Sequence, residues 1–248
     1  MRLDVYLTPG EVVPGALNGA VVAVIDTLRA STTIAVALAR GARAVIPFLG
    51  TDEVAERAHQ FERAEVRLAG ERKMLPIPGF DLGNSPTQFA ADTVGGKTVL
   101  LSTTNGTYAL LSVQGARDIV VASYVNWSAV TSLLRTALRS EAHVAIVCAG
   151  QDRHFALEDA GCAGRFVRSV TRRFGDVTLN DAAHACALLD RKYGDNIQAL
   201  FHDSAHGRAL IAAGFGDDLA ACAQMDAFPV VPVFTERHIV SLGPTLTR

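Results

Sequence analysis

The sequence predicts an α/β fold of three layers, with helices on both faces of a largely parallel or mixed sheet, a helix-rich C-terminal third and a short β return. Three observations carry this expectation. Short β-branched runs alternate with Ala-rich amphipathic runs, the pattern of strand–helix–strand units. Several strand runs are apolar on both faces, as in strands covered from both sides. One arrangement also recurs along the chain: an apolar strand, a polar knot, then a helix.

The elements follow in order. LDVYL (3–7) and VVAVI (21–25) read as strands, the second without a single polar side chain. An Ala-rich run gives a helix over 31–40, and RAVIPF (43–48) gives the next strand. A helical pattern at 51–62 separates it from the strand EVRLA (65–69). Residues 70–86, GERKMLPIPGFDLGNSP, form the longest Gly/Pro-rich connection. It is too polar and too long for a simple joint, and loops of this length are often functional. A helix over 86–93 leads to KTVLL (97–101), one over 105–113 to DIVVA (118–122), and one over 126–140 to HVAIVC (143–148). From 158 to 228 no strand is expected; helical patterns lie at 158–174, 180–193 and 204–213. VVPVF (230–234) supplies the β return. The chain reads as one α/β unit over 1–248, with 123–127 as the place where two lobes would divide.

Composition excludes several classes. Net charge is −2, so neither nucleic acid nor an anionic membrane is an expected partner. No apolar run approaches the ~20 residues that cross a bilayer. MRLDVYLTPG has no apolar stretch of the kind that directs secretion. The four cysteines, Cys148, Cys162, Cys186 and Cys222, form no C-x-x-C pair, which argues against a disulfide framework or structural zinc. The expected location is the cytoplasm.

In open α/β sheets, ligands bind beyond the carboxyl ends of the strands. Four strand ends carry unusual chemistry here. VVAVI runs into Asp26, then Arg29 and Ser31. EVRLAG runs into Glu71 and Arg72. KTVLL runs into LSTTNGT (101–107), with Thr103, Thr104, Asn105 and Gly106. HVAIVC ends at Cys148, and Glu158 and Asp159 follow at a helix start. If the strands are parallel, all four clusters lie on one edge of the sheet. Asp26 reads equally as a helix N-terminal acid or as a metal ligand or nucleophile at a strand tip. Arg29 beside hydroxyls at a helix start suits an anion. Hydroxyls and backbone N–H groups in LSTTNGT, with Gly106 allowing close approach, suit an oxyanion, and a capped helix start there is compatible with that. Three acidic sites along one edge suit a hard divalent cation such as Mg²⁺, which uses one or two carboxylates with waters and phosphate oxygens.

Taken jointly, IDTLRASTTI (25–34), LAGERKMLPIPGFDLGNSP (68–86), LSTTNGTYAL (101–110), IVCAG (146–150) and LEDAGCAG (157–164) resemble the 2-phosphosulfolactate phosphatases, in the family's order and over most of the chain. The resemblance implies an α/β/α fold and a Mg²⁺-dependent phosphatase acting on the phosphomonoester of a small sulfonated hydroxy acid, a step towards coenzyme M. It marks Asp26, Arg29, Arg72, Cys148 and Glu158 as catalytic. Ser31, Asn84, Ser85, Thr103, Thr104, Asn105 and Gly106 fall to substrate binding, and Asp26, Glu71, Glu158 and Asp159 to the metal. A small anionic phosphoester is the expected partner, and a homodimer the expected assembly. Thr27 stands where the family pattern has an apolar residue, and Lys73-Met74 occupies a loop that is more Gly-rich in the family. The mechanism implied is metal-assisted hydrolysis, with Arg29 and Arg72 stabilising charge on the phosphoryl oxygens.

Rival readings are few. Haloacid-dehalogenase phosphatases have a second Asp two residues after the first, where this chain has Leu28. A cysteine phosphatase loop has Arg six residues after its Cys, and residue 154 is His. Cys148 paired with Asp26 is the alternative of an isochorismatase-like hydrolase, against the commoner role of a buried small hydrophobe. A non-catalytic phosphometabolite-binding module is the other alternative, and the acidic set argues against it, since carboxylates repel an anion unless a cation intervenes. HDSAH (202–206) spaces His202 and His206 one helical turn apart, but Ser204 reads as the start of a new helix.

Overall fold

The computed structural model describes residues 1–243. One mixed, largely parallel sheet of eleven strands runs through the molecule in the order β5-β4-β6-β3-β11-β10-β7-β2-β8-β1-β9. The strands are β1 Arg2–Tyr6, β2 Val21–Ile25, β3 Ala44–Phe48, β4 Val66–Arg72, β5 Leu75–Pro76, β6 Thr98–Ser102, β7 Asp118–Ala122, β8 His143–Cys148, β9 Thr178–Leu179, β10 Pro232–Thr235 and β11 His238–Ser241. The helices are α1 Ala30–Ala39, α2 Thr51–Ala58, α3 Ala91–Val94, α4 Gly106–Ser112, α5 Trp127–Arg139, α6 Leu157–Thr171, α7 Asp181–Tyr193, α8 Ile197–Asp203, α9 Ala205–Ala212 and α10 Gly216–Cys222.

Strand alternation sorts side chains onto two faces. Val21, Ala23 and Ile25 of β2 enter a core shared with α5, α6 and the helices after it. Val22 and Val24 enter another shared with α1 and α4. The same division holds for β7 and β8, which is why both are apolar after their first residue. The α1/α4 core also takes Val45 of β3, Val99 and Leu101 of β6, and Phe234 and Ile239 of the β10–β11 hairpin. A small third core under α2 covers the opposite face of β3, β6 and β4.

The sheet comprises two parallel blocks, β4-β6-β3 and β7-β2-β8-β1-β9. The hairpin joins them, antiparallel to β3 on one side and to β7 on the other. Counting reversals across it, the two blocks run in opposite senses. This corrects the expectation of one shared edge: β2 and β8 end on one edge, β4 and β6 on the edge of a block that points the other way. The two regions meet because α1, which follows β2, and α4, which follows β6, pack together in one core.

Two smaller differences from the sequence reading have local causes. The helix expected at 86–93 is a 3₁₀ turn over Pro86–Gln88 and the short α3, because Pro86 starts the turn without a donor. The C-terminal third is helical as expected but contains the two-residue β9, which extends the sheet beside β1. Residues 123–127 form a buried turn into α5, where the Ser123 amide donates to Asn126 Oδ1 at 2.9 Å. Among the described residues, no helix is long and apolar enough to cross a membrane.

Candidate active site

The turn after β2 folds around Asp26. The Ser31 amide donates to the Asp26 carbonyl at 2.8 Å, and the Asp26 amide donates to Ser31 Oγ at 2.8 Å. The Ala30 amide donates to Asp26 Oδ1 at 3.2 Å. Asp26 therefore satisfies one of the free N–H groups that open α1. Only its Oδ1 is used in this way. Burial pushes its carboxyl up to about 6; the positive His206 and the Ala30 amide oppose the rise, and Glu71 and Glu158 add to it. Gly106 begins α4 directly against this carboxylate. A Cβ there would lie 2.6 Å from Ala30 Cβ and 2.7 Å from Asp26 Oδ2, so only glycine lets the two helix starts touch.

Arg29 is almost fully enclosed. Nη1 donates to Asp218 Oδ2 at 2.7 Å, Nη2 donates to the Met74 carbonyl at 2.9 Å, and the guanidinium lies 4.5 Å from the centre of the Phe215 ring. Three of its five donors make no hydrogen bond among the described residues. Ser85 Oγ donates to the other oxygen of Asp218.

The second block brings Glu71. Its Oε1 accepts from the Thr104 amide at 2.7 Å and its Oε2 from the Met74 amide at 2.8 Å. Met74 can serve both Glu71 and Arg29 because Lys73 and Met74, both at positive φ, form the two-residue turn between β4 and β5. Such turns require φ > 0 at both positions, which is why glycine is favoured there. Arg72 donates to the Leu49 carbonyl, the Glu71 carbonyl and Ser102 Oγ.

Much of LSTTNGT is spent internally. Ser102 and Thr103 are buried, and Thr103 and Thr107 exchange amide-to-hydroxyl bonds. Thr104 and Asn105 remain to face outwards, with Asn105 Oδ1 accepting from the Asp152 amide at 3.1 Å.

At the end of β8 the chemistry turns inwards. Cys148 is fully buried, and burial followed by nearby Asp159 drives its thiol well above the ordinary range. Asp159 accepts from the Thr27 amide at 2.9 Å and the Gly150 amide at 3.0 Å, and burial with Asp26 nearby raises its carboxyl strongly. Glu158 Oε1 lies 3.2 Å from His206 Nδ1.

A cleft of about 710 Å³ opens over this assembly. Of the expected residues, Asp26, Arg29, Glu71, Arg72, Asn84, Thr104 and Asn105 line it. Ser31, Ser85, Thr103, Gly106, Cys148, Glu158 and Asp159 are buried and do not line it. His206 lines the cleft and did not emerge from the sequence except as half of a zinc pair. That pair is broken as expected: Ser204 caps α9, accepting from the Gly207 amide at 2.9 Å, and His202 is exposed. Asp218 was missed altogether.

A family model described as 2-phosphosulpholactate phosphatase matches residues 6–237. The chain belongs to the 2-phosphosulfolactate phosphatase family. A relative from Symbiobacterium thermophilum, named "Probable 2-phosphosulfolactate phosphatase", is 41% identical over 226 residues, covering 91% of this chain and 96% of its own. Proteins with the same name from Synechococcus sp. and Caldanaerobacter subterraneus subsp. tengcongensis are 37% and 35% identical, covering 98% and 94% of this chain and 100% and 95% of their own.

The family resemblance implied a metal held by Asp26, Glu71, Glu158 and Asp159. Among the described residues, no group of three or more His, Cys, Asp or Glu side chains is gathered to hold one. Glu158 and Asp159 are buried and do not line the cleft. The cleft of this 2-phosphosulfolactate phosphatase family member does offer a sparser oxygen set. Asn84 Oδ1 is a buried acceptor with no donor, and Glu71 lines the same cleft. That chemistry fits a hard cation whose shell is completed by water and ligand oxygens.

Proposed function

We propose that the cleft hydrolyses the phosphomonoester of 2-phosphosulfolactate to sulfolactate and phosphate, with Mg²⁺ as cofactor, in the cytoplasm and on the route to coenzyme M. The observation that carries the reading is Asp26: a carboxylate raised to about 6 in a cleft that also presents Arg29, Arg72 and His206. Glu71 and Asn84 Oδ1 would hold the Mg²⁺. When bound it supplies charge neutralisation at the phosphoryl oxygens. Asp26 acts as general base, its free Oδ2 taking a proton from the attacking water; a base near the working pH is well matched to that task. The unspent donors of Arg29 and Arg72 stabilise the equatorial oxygens, where charge spreads in phosphoryl transfer. Thr104 and Asn105 bind the ester's peripheral oxygens. Gly106, Ser31, Ser85 and Thr103 fix the frame, and Cys148 packs the core.

Facing carboxylates disfavour metal-free anion binding, so the non-catalytic module loses to the enzyme. The buried Cys148 thiol disfavours the thiol-nucleophile alternative. Phosphate release from 2-phosphosulfolactate, measured with EDTA and with added Mg²⁺, tests the proposal. Release that stops with EDTA and returns with Mg²⁺ is expected; release indifferent to both would defeat the metal assignment, and no release the activity itself.

A further inference from the structure

We propose that His206 is the proton donor to the departing ester oxygen, oriented for that task by Glu158. This rests on the phosphatase reading above and adds to it the group that completes the reaction.

Hydrolysis of an alkyl phosphate leaves an alkoxide unless a proton arrives as the bond breaks. The carboxyl group raised to about 6 removes a proton from water on one side of the phosphorus. The other side requires an acid. His206 stands in the cleft wall with Asp26 and Arg29. Its Nδ1 lies 3.2 Å from Glu158 Oε1, and Glu158 is itself buried at the N-terminal turn of α6, where negative charge is favoured. Nε2 has no hydrogen-bond partner among the described residues and is not an enclosed atom. A ring held at Nδ1 by a carboxylate and open at Nε2 is a positioned acid–base group. The charged groups facing it are Glu158 and Asp26, which favour the protonated ring, and Arg29, which opposes it.

The step balances. The water oxygen forms the new bond to phosphorus and gives its proton to Asp26 Oδ2. The ester P–O bond breaks, its electron pair goes to the ester oxygen, and that oxygen takes the Nε2 proton. The products are the free hydroxy acid and phosphate, and the Asp26 proton returns through solvent to His206.

The leaving group provides the test. 2-Phosphosulfolactate departs as an alkoxide and needs the proton, whereas p-nitrophenyl phosphate departs as a stable phenolate and does not. In H206Q, kcat on 2-phosphosulfolactate should fall about 100-fold or more, the usual worth of a general acid. The fall on p-nitrophenyl phosphate should be at least about tenfold smaller. E158Q should shift the same ratio in the same direction by a lesser factor. Because the ratio is taken within one preparation, loss of folded protein does not change it. Equal losses on both esters would overturn the assignment and leave the phosphatase intact. Wild-type enzyme releasing phosphate from neither would overturn the phosphatase reading and this assignment with it.

Discussion

Removing Asp218 leaves Arg29 as an unpaired charge in the interior. The two side chains are only 2% and 4% exposed, and their atoms meet at 2.7 Å. Solvent screening is therefore slight. Deleting one partner of such a pair costs about 3–5 kcal/mol, most of it from the stranded charge. The Met74 carbonyl and the Phe215 ring remain beside Arg29, and a cation–π contact is worth about 1 kcal/mol. D218A should thus lose about 3 kcal/mol. At about 2–4 °C per kcal/mol for a chain of this size, Tm should fall roughly 10 °C. The double variant R29M/D218L removes both charges and should recover most of the loss, because an apolar pair of similar volume is often as stable as a buried ion pair. Thermal and urea denaturation of the three proteins measure this. If D218A costs less than about 1 kcal/mol, or the double variant falls as far as D218A, the buried-charge reasoning is wrong.

Asp26 makes a prediction about pH. Its carboxyl titrates near 6 in the folded protein against an ordinary value of 3.8, so folding favours the protonated form. That stability is present below about 4 and lost as pH rises through 6. The difference corresponds to about 3 kcal/mol at most. D26N should therefore be inactive yet more stable than wild type at pH 8, with the gap closing towards pH 4.5; a pH-independent difference in denaturation would refute this. G106A pushes a methyl into Ala30 and Asp26 and should cost about 1–3 kcal/mol and at least about tenfold in kcat, measurable by melting and steady-state rates; near-wild-type turnover would show that the contact is not needed. C148S should keep its rate within about threefold while losing about 1 kcal/mol of stability to a buried hydroxyl; a folded but inactive C148S would return the thiol to the reaction.

The sequence discloses those parts of the fold whose causes are local. β2, β7 and β8 announce themselves because both their faces are buried, and Asp26, Arg29, Glu71, Thr104 and Asn105 because each lies at or shortly past the end of an apolar run. The reversal between the two blocks is not local. It depends on β10 and β11 pairing with β7 and β3, more than a hundred residues earlier, and nothing in HIVS names that partner. The same holds for the site's missing members. Asp218 reaches Arg29 across 189 residues and His206 reaches Glu158 across 48. Both lie on short helices in a stretch with no strand tip to draw attention. Lys73-Met74 is legible as unusual, but only the fold connects its backbone to both Arg29 and Glu71.

The strands that bridge the two blocks come from residues 232–241. A ribosome therefore exposes every element flanking the cleft before it delivers the pieces that align them. Until those residues emerge, β3 and β7 have open edges of the kind that invite misassembly between nascent chains. Assembly of the cleft therefore waits on residues 232–241, and a chain halted near residue 230 would carry Asp26, Glu71 and His206 without the span that brings their supports into line.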